Sequence, residues 1–345
     1  MYKITICGHF GGNENFLDGQ TVKTKNLYKA LANEYKKEQI NKLDTYGWKK
    51  NPISFFVRCI KEFKRSENVI ILPAHNGVRV FIPFFAFLKK LYKTKVFYVV
   101  IGGWLPEKLK KEKKLLKTIK KIDKVFVETN KMKENLSVLG VKNVKVLVNF
   151  KNIKPLKQQE LVDVYVKPYK VCTFSRVMEE KGIEDAIKAI KEINEEHDSE
   201  VYNLDIYGPI DTNYKERFEK LLKEFPSYIN YKGCIDSEKS VETLKDYYLL
   251  LFPTKFYTEG IPGTIIDAFS AGIPVISARW ENFEEIIAEG CNGYGYELGN
   301  YADLVIKLKE AIEFKNILGM KKNCIIEAEK YIPSNAIKKL IKYIE

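Results

Sequence analysis

The sequence of 345 residues lacks the features that mark secreted, metal-binding and membrane-spanning proteins. Its six cysteines are scattered, none forms a CxxC pair, and none has a histidine at ligand spacing. We therefore expect mostly buried free thiols in a reducing compartment, and no metal site. No apolar run approaches the roughly 20 residues that a helix needs to cross a bilayer. Strand-like residues begin at Tyr2, so no signal segment is expected, and we predict a cytoplasmic protein that is soluble or lies on a membrane surface.

Acidic residues are scarce in the first half of the chain. Residues 1–155 contain 33 lysines and arginines against 12 acidic residues, whereas the remainder contains 25 against 33. The whole-chain excess of +13 therefore arises in the first half, which predicts an anionic partner for that half. Only three of its basic residues are arginines, and no nucleic-acid-binding pattern is visible, so we expect no nucleic acid partner.

Short apolar runs alternate with helical segments along the whole chain. The predicted strands are 2–7, 68–72, 95–101, 124–127, 144–148, 170–174, 202–207, 229–231 and 249–252, and a further strand is predicted to begin at Val275. This alternation predicts α/β architecture, with parallel sheets covered by helices on both faces. The periodicity lapses around 151–170, where Pro155 and Pro168 suggest a linker.

We therefore predict two doubly wound, Rossmann-like domains with a cleft between them. The N-terminal domain is expected at 1–155 and the C-terminal domain at 165–320, with a C-terminal helix at about 321–345 that packs back on the first.

The clearest local pattern runs from Leu250 to Ala278. A strand end is followed by a loop that holds Glu259, and a short helix begins after Gly260, Pro262, Gly263 and Thr264. Amides at such a helix start form a donor-rich, positive cradle for phosphate. Asp267 lies one turn inside the helix, on the same face as Gly263 and Thr264. Two carboxylates beside an anion cradle predict a ligand with both phosphates and hydroxyls.

Two cations follow the first strand of the predicted C-terminal domain. Arg176 stands at the strand end, and Lys181 opens the next helix. A cation at a helix N-terminus opposes the helix dipole, which is unfavourable unless an anion binds there. We predict that the two side chains hold one diphosphate from two sides. Two solvated charges are the alternative.

These segments resemble a known enzyme family. Residues 175–182 (SRVMEEKG), Tyr207-Gly208 and 259–278 (EGIPGTIIDAFSAGIPVISA) are similar to the nucleotide-sugar-binding half of retaining GT-B-fold glycosyltransferases of the GT4 type, the glycosyl transferases group 1. Residues 125–149 resemble the last strand–helix–strand unit of that family's N-domain. The resemblance implies a GT-B fold and a hexosyltransferase that moves a sugar, with retention, from a nucleotide diphosphate to a glycan or lipid-linked acceptor in cell-surface polysaccharide synthesis.

The resemblance also implies roles for the motif residues. Arg176 and Lys181 would hold the donor diphosphate, and Glu259 would bind the sugar. Asp267 would bind the ribose, although the family usually has Glu there. The other residues expected on the donor side are Gly11, Gly12, Gly208, Gly260, Pro262, Gly263 and Thr264. UDP is favoured over GDP as the donor nucleotide, and neither a cofactor nor a metal is expected.

The acceptor side is less well marked. Many members of the family carry a histidine where this chain has Gly102-Gly103-Trp104. His9 and His75 lie in other strand-end loops and, with Trp104, are the candidates for the acceptor side. Ordinary loop histidines are the alternative. The resemblance implies that no catalytic base is needed, because the leaving diphosphate can accept the proton of the acceptor.

Residues 107–124 form a lysine-rich helix with a narrow apolar stripe. The stripe consists of Leu109, Leu115, Leu116, Ile119 and Ile122, and Phe84, Phe85 and Phe87 lie nearby in sequence. Such a surface is typical of peripheral contact with anionic lipid, here at the inner face of the plasma membrane. A solvated lysine face is the alternative.

Two further functions remain open. One is an epimerase or hydrolase of nucleotide sugars with the GT-B fold. The other is a basic nucleic-acid-binding or membrane-binding protein without catalysis, which would use the cationic first half.

Overall fold

The computed structural model describes residues 1–14, 16, 18–162, 164–314 and 316–345. They form two compact units, Met1–Asn152 with Tyr331–Glu345, and Ile153–Lys330. The C-terminal segment that returns to the first unit begins at Tyr331, which is later than the boundary near 321 expected from the sequence. The helix Ile317–Ala328 stays with the second unit.

The first unit contains a six-stranded parallel sheet. Its strands are β1 (Tyr2–Gly8), β2 (Ile40–Asp44), β3 (Ser66–Ile71), β4 (Lys95–Val99), β5 (Lys124–Val127) and β6 (Val144–Val146). They lie in the order β2-β1-β3-β4-β5-β6, so the direction of chain progression reverses between β1 and β3. In the central register, Ile4 pairs with Ile40 on one side and with Asn68 on the other.

Helices cover this sheet on both faces, as predicted. They are α1 (Gly19–Glu34), α2 (Pro52–Lys64), α3 (Val78–Leu91), α4 (Leu105–Lys111), α5 (Lys113–Ile119) and α6 (Asn130–Val138), together with α13 (Pro333–Ala336) and α14 (Lys338–Ile344) near the C-terminus. Because side chains alternate along a strand, Val69 and Ile71 enter the core under α2 and α3, whereas Ile70 enters the core that α1 and α14 cover.

The second unit repeats the plan. Its strands are β7 (Tyr169–Phe174), β8 (Tyr202–Tyr207), β9 (Ile229–Gly233), β10 (Leu249–Phe252), β11 (Val275–Ala278) and β12 (Gly293–Tyr296). All are parallel, in the order β12-β11-β10-β7-β8-β9. Its helices are α7 (Ile183–Glu196), α8 (Lys215–Leu222), α9 (Ser240–Leu244), α10 (Gly263–Ser270), α11 (Tyr301–Ala311) and α12 (Ile317–Ala328). The predicted α/β class with two doubly wound, Rossmann-like units is confirmed.

The structure corrects the prediction for the lysine-rich segment. The chain breaks at Glu112 into α4 and α5, and the apolar stripe faces inward. Leu109, Leu115, Ile119 and Ile122 are buried in the core of the first unit. The stripe therefore packs these helices onto the first unit and is not available to lipid. The prediction failed because a core-facing stripe and a lipid-facing stripe have the same sequence pattern.

Three elements were not predicted. Strands β2 and β12 carry several polar or glycine residues, and α2 lies in a segment for which no element was predicted. Among the described residues, no helix is both long enough and apolar enough to cross a membrane.

Candidate functional site

The second unit has a switch point between β7 and β10. From β7 the chain builds the sheet outward to β9, and it then returns to build β10, β11 and β12 on the other side. The carboxyl ends of β7 and β10 therefore lie side by side and feed loops that diverge. In open α/β sheets this is where ligands bind. Arg176 and Lys181 follow β7, and Glu259 follows β10.

Lys181 and Glu259 form an ion pair at this edge. The Lys181 ammonium donates to Glu259 Oε1, and Thr254 Oγ1 donates to the same oxygen at 3.1 Å. The ammonium also lies 5.3 Å and 5.1 Å from the ring centroids of Phe252 and Phe256. The two charged side chains are 17% and 18% exposed, so the pair is accessible from solvent but partly desolvated. The contact brings together two residues that are 78 positions apart.

Gly182 makes this contact possible. Its φ is +68°, and an added Cβ would lie 1.9 Å from the Pro253 carbonyl oxygen. Only glycine lets the turn before α7 approach the loop after β10 so closely. The Lys255 amide closes the same contact by donating to the Glu180 carbonyl at 2.8 Å. The loops that carry Lys181 and Glu259 are therefore held together by backbone.

The first turn of α10 lies at the end of β7. Thr264 Oγ1 donates to the Phe174 carbonyl, two residues before Arg176. The amides of Ile265 and Ile266 donate to the Pro262 carbonyl at 3.0 Å and 3.3 Å. The Gly263 and Thr264 amides precede them and, as the first amides of a helix, have no acceptor within it. The helix start thus offers donors and a positive dipole end beside Phe174.

The loop before α10 is anchored through its own backbone. Asn282 Nδ2 donates to the Glu259 carbonyl at 2.6 Å, and Trp280 Nε1 donates to the Gly260 carbonyl at 3.2 Å. These bonds from the segment after β11 fix the backbone on which the Glu259 carboxylate stands. The segments that follow β7, β10 and β11 therefore together fix the position of the Glu259 carboxylate.

Arg176 is more exposed than the ion pair. Its guanidinium lies 3.5 Å from the Asp211 carboxylate, and its side chain is 42% exposed. The turn below it needs Gly208, whose φ is +133° and whose added Cβ would lie 1.8 Å from the Ser175 carbonyl oxygen. The close approach of Gly208, after β8, to Ser175 therefore fixes the position of the backbone from which the Arg176 side chain projects. The guanidinium has five donors and a side chain that is 42% exposed, so it can donate to an anion while it lies near Asp211.

Asp267 is placed differently from its predicted role. Its carboxylate is buried, with the residue 1% exposed, and Oδ1 accepts a hydrogen bond from Ser240 Oγ at 2.8 Å. A carboxylate in this position joins α10 to α9. The geometry favours this structural role, and the predicted ribose contact stays a prediction that would require the side chain to become exposed.

The first unit has its own opening at the carboxyl ends of β1 and β3. A cavity of about 530 Å³ is lined there by both predicted histidines, His9 and His75. Its wall also contains aromatic and cationic side chains, namely Tyr46, Trp48, Lys49, Lys50 and Phe81. Aromatic faces with neighbouring donors and cations suit a sugar ring that carries an anionic group.

His9 is oriented by the start of α1. Its Nδ1 lies 2.7 Å from Thr21 Oγ1, and that hydroxyl donates to Asp18 Oδ2 at 2.6 Å. Burial raises the pKa of Asp18, but hydrogen bonds from the Thr21 hydroxyl and amide and from the Gln20 amide outweigh it, and the net pKa is lowered. Because the Thr21 hydroxyl donates to Asp18, Nδ1 donates to the Thr21 oxygen, which places a proton on Nδ1.

His75 contacts Trp104, and the acceptor role of both residues stays a prediction. The two ring centroids are 5.0 Å apart, and the indole donates to the Ile101 carbonyl at 2.6 Å. Lys108 Nζ lies 3.3 Å from His75 Nε2. Because an ammonium only donates, Nε2 accepts and the ring proton lies on Nδ1, which is 3.4 Å from Asn76 Oδ1.

Gly11 and Gly12 lie at the end of β1 with φ values of +89° and +58°. The amides of Phe10 and Gly12 donate to the two Asp44 carboxylate oxygens at 2.9 Å and 2.8 Å. Asp44 ends β2, so the glycine loop is tied to the neighbouring strand. A donor-binding role for the two glycines stays a prediction.

Several residues at the carboxyl edges of the two sheets were not predicted from the sequence. Thr254 and Asp211 follow the predicted strands β10 and β8 within four residues, so their strand-end position was a usable signal. Tyr46, Trp48 and Lys49 follow β2, which was not itself predicted. No sequence signal pointed to Ser240 as the partner of Asp267.

The chain was compared with known proteins. Residues 157–331 match the family described as glycosyl transferases group 1. Among curated relatives, the amylovoran biosynthesis glycosyltransferase AmsK of Erwinia amylovora is 23% identical over 164 residues, which are 46% of this chain and 40% of AmsK. The sulfoquinovosyl transferase SQD2 of Arabidopsis thaliana is 29% identical over 127 residues, 35% of this chain and 24% of SQD2. The matches thus span less than half of these relatives.

Solved structures agree over the whole chain. The crystal structure of HepE of Anabaena in complex with UDP superposes with a TM-score of 0.75 at 12% identity, covering 100% of this chain and 99% of HepE. At this identity the likeness establishes the fold. The expected GT-B fold is therefore confirmed, and the family match covers half of the chain, including the edge that carries Lys181 and Glu259. The chain belongs to the glycosyl transferases group 1 family.

Proposed function

We propose that the protein transfers a hexose, with retention, from a nucleotide-diphosphate sugar to a glycan or lipid-linked acceptor in cell-surface polysaccharide synthesis. UDP is the favoured donor nucleotide. The donor would bind at the carboxyl edge of the second sheet, between the loops after β7 and β10. The acceptor would bind in the first unit, at the cavity lined by His9 and His75.

One observation carries this proposal, namely the Lys181–Glu259 pair at the same carboxyl edge of the second sheet where α10 begins. A cation and amide donors suit a diphosphate, and a fixed carboxylate beside them suits sugar hydroxyls. A lone phosphate would be repelled by the Glu259 carboxylate. A ligand with both a diphosphate and a sugar satisfies both charges, because its phosphates replace Glu259 as the partner of Lys181 while its hydroxyls donate to Glu259.

The chain's residues would act mainly on the leaving group. When the bond between the sugar C1 and the diphosphate oxygen breaks, negative charge grows on the diphosphate. Arg176, Lys181 and the α10 amides would stabilise that charge in place, without a solvent rearrangement. The acceptor hydroxyl forms the new bond to C1, and its proton passes to the departing diphosphate oxygen on the same face of the sugar. No protein base is required for this sequence.

Relatives support the nucleotide and the pathway class. Structures of HepE of Anabaena contain UDP or UDP-glucose, and this chain has the same fold. AmsK is named for the biosynthesis of amylovoran. The cations Lys49 and Lys50 at the cavity of the first unit favour an acceptor with an anionic group.

The test is nucleotide release from a panel of UDP- and GDP-hexoses by the purified full chain, with polyprenyl-phosphate-linked and soluble glycans as acceptors. We expect Lys181→Met and Glu259→Gln each to lower turnover by about 100-fold or more, the range for loss of a group that stabilises transition-state charge. The matched controls are Lys223→Met and Glu216→Gln, exposed residues of the same unit, which should retain turnover within twofold.

The product's anomeric configuration, read by NMR, tests retention. Turnover within threefold of wild type in both site variants would refute the site. Release of an epimerised or free sugar without any acceptor would instead identify an epimerase or hydrolase.

A further inference from the structure

Helix α3 has an apolar outer face. Its inner positions, among them Val78, Ile82 and Phe85, are buried in the core of the first unit. Its solvent-side positions follow helical spacing as well, and they are Val80, Pro83, Phe84, Phe87 and Leu91. Phe87 and Leu91 are 58% and 57% exposed. A surface helix normally carries polar residues on this side, so the pattern demands a reason.

Helix α2 extends this face. Ile53, Phe56, Val57 and Ile60 lie at the i, i+3, i+4 and i+7 positions of one stripe, and Ile53 is 79% exposed. Phe56 joins the stripe to α3, because its ring centroid is 4.7 Å from that of Phe84. We call these nine residues of α2 and α3 the apolar ridge. Phe56, Ile60 and Phe84 are half-buried against the core and join the more exposed members into one patch. Scattered exposed apolar residues are ordinary, but a contiguous set marks an interaction surface.

The ridge is surrounded by positive charge. Residues 49–65 and 78–95 contain eleven lysines and arginines and one acidic residue, Glu62. Part of this charge is paired, since Arg79 contacts Glu112 and Lys89 contacts Asp123. Exposed cations remain at both ends of α2 and at the C-terminal end of α3, and they are Lys49, Lys50, Lys61, Lys64, Lys90 and Lys93.

Charge and apolarity together select the partner. A second copy of the chain would bring two cationic surfaces together, which is unfavourable. Nucleic acid would attract the lysines but would leave the exposed leucine, phenylalanine and isoleucine side chains without apolar contact. An anionic lipid surface satisfies both, because apolar side chains enter the boundary of the acyl chains while lysines lie at the headgroups.

We propose that the apolar ridge docks the first unit onto an anionic lipid bilayer. The ridge replaces the lysine-rich helices α4 and α5 as the lipid-facing surface, since their apolar stripe is buried. It is formed by the outer face of each of the two helices.

Docking would bring the cavity of the first unit to the membrane. Trp48 and Phe81 line the cavity, and their ring centroids lie 5.8 Å and 6.4 Å from that of Phe56 on the ridge. An acceptor anchored in the bilayer could therefore place its headgroup in the cavity while its chain stays in lipid. This consequence rests on the proposed function, whereas docking itself does not.

Co-sedimentation of the full chain with vesicles tests docking without donor or acceptor. We expect binding to vesicles with 30 mol% phosphatidylglycerol in phosphatidylcholine, and at least tenfold weaker binding to phosphatidylcholine alone. Phe87→Ser/Leu91→Ser should weaken binding at least tenfold. The control is Val138→Ser, an exposed apolar residue of α6 in the same unit, which should change binding less than twofold.

A charge-matched pair separates docking from general attraction. Lys90→Glu/Lys93→Glu should weaken binding at least fivefold more than Lys142→Glu/Lys145→Glu, which changes net charge equally on exposed residues around β6.

Equal losses in each variant and its control, or no binding to anionic vesicles, would overturn the proposal. A wild-type dimer that Phe87→Ser/Leu91→Ser converts to a monomer, with vesicle binding unchanged, would assign the ridge to a second copy and also overturn it. Because these measurements use no nucleotide sugar, they can fail while the proposed transfer stands, and the reverse also holds.

Discussion

Each unit holds a lysine–glutamate pair at the carboxyl edge of its sheet, and the two pairs differ in their surroundings. Lys23 and Glu128 in the first unit are 5% and 3% exposed, whereas Lys181 and Glu259 in the second are 17% and 18% exposed. Lys23 also donates to the Val100 carbonyl at 2.9 Å, and Glu128 accepts from the Gly102 amide at 3.2 Å. The first pair thus joins α1 to two strand ends and to the loop before Trp104.

The same two residue types therefore serve two purposes in this protein. The buried Lys23–Glu128 pair is not accessible to a ligand, so its role is to stabilise the fold. The partly exposed Lys181–Glu259 pair, at the edge where α10 begins, can exchange one of its partners for a bound anion. The first pair should therefore matter for stability and the second for donor binding.

The largest expected effect concerns the sealed pair. Lys23→Met leaves a buried carboxylate without its cation, which should lower the free energy of unfolding by about 3–5 kcal/mol. Lys181→Met, at the more exposed pair, should change it by about 1 kcal/mol or less. Urea unfolding measures both.

A second substitution checks that the loss comes from the stranded charge. Lys23→Met/Glu128→Leu should recover much of the stability lost in Lys23→Met. Equal losses in Lys23→Met and Lys181→Met would remove the distinction between the two pairs.

The close approach of Gly182 to Pro253, which holds the Lys181 and Glu259 loops together, should give the next largest effect on stability. Gly182→Ala sets a Cβ against the Pro253 carbonyl and should cost about 3 kcal/mol, from backbone strain plus the clash. Gly299→Ala is the matched control, since Gly299 has φ +80° and open space around its Cβ position. It should cost about 1 kcal/mol, the strain alone. Similar losses in urea unfolding at both glycines would show that the close approach is not what holds the Lys181 and Glu259 loops together.

Much of this arrangement follows from the sequence, and the exceptions have physical reasons. Strands β5, β8 and β10 have the predicted bounds, because short apolar runs between polar segments leave little freedom. Gly272 follows the end of α10 with φ +65°, the left-handed conformation for which the sequence supplies a glycine, and Pro274 comes two residues later. Asp267 differs because its partner Ser240 lies on a separate helix, and an acid one turn inside a helix looks the same in sequence whether it faces solvent or protein.

The lipid-facing surface shows the same limit. The stripe of α5 and the stripe of α2 both have helical spacing, and only the packing of the whole unit decides which is covered. The run from Val78 to Leu88 is apolar on both faces, so its exposed half could not be separated from its buried half.

A third lysine, Lys321, is buried, and no carboxylate among the described residues contacts it as closely as in the two pairs. It should have the smallest effect, which is a change of stability with pH. Lys321 is fully buried in the second unit, where its ammonium donates to the Tyr247 carbonyl at 3.2 Å and lies 4.8 Å from the Tyr165 ring centroid. Burial lowers its pKa to about 8, against weaker opposing effects of Cys324 and Asp246. Between that value and the unfolded pKa of about 10.4, the unfolded chain binds more protons, so stability rises with pH.

Lys321→Met should remove this contribution. The stability difference between variant and wild type should therefore shift by on the order of 2 kcal/mol in favour of wild type from pH 7.5 to pH 10. Urea unfolding at both pH values measures this shift. If the stability difference between Lys321→Met and wild type is the same at both, the pKa of Lys321 is not lowered by its burial.

The most direct test of the account is nucleotide binding at the open pair. Calorimetry with UDP and with GDP should show saturable binding of at least one nucleotide to the wild-type protein. Lys181→Met should weaken that binding by about tenfold or more, as loss of a charge-assisted contact to phosphate would. Lys23→Met, measured where it remains folded, should bind within threefold of wild type. Binding by Lys181→Met as tight as that of wild type would contradict the assignment of the donor site to the edge between β7 and β10.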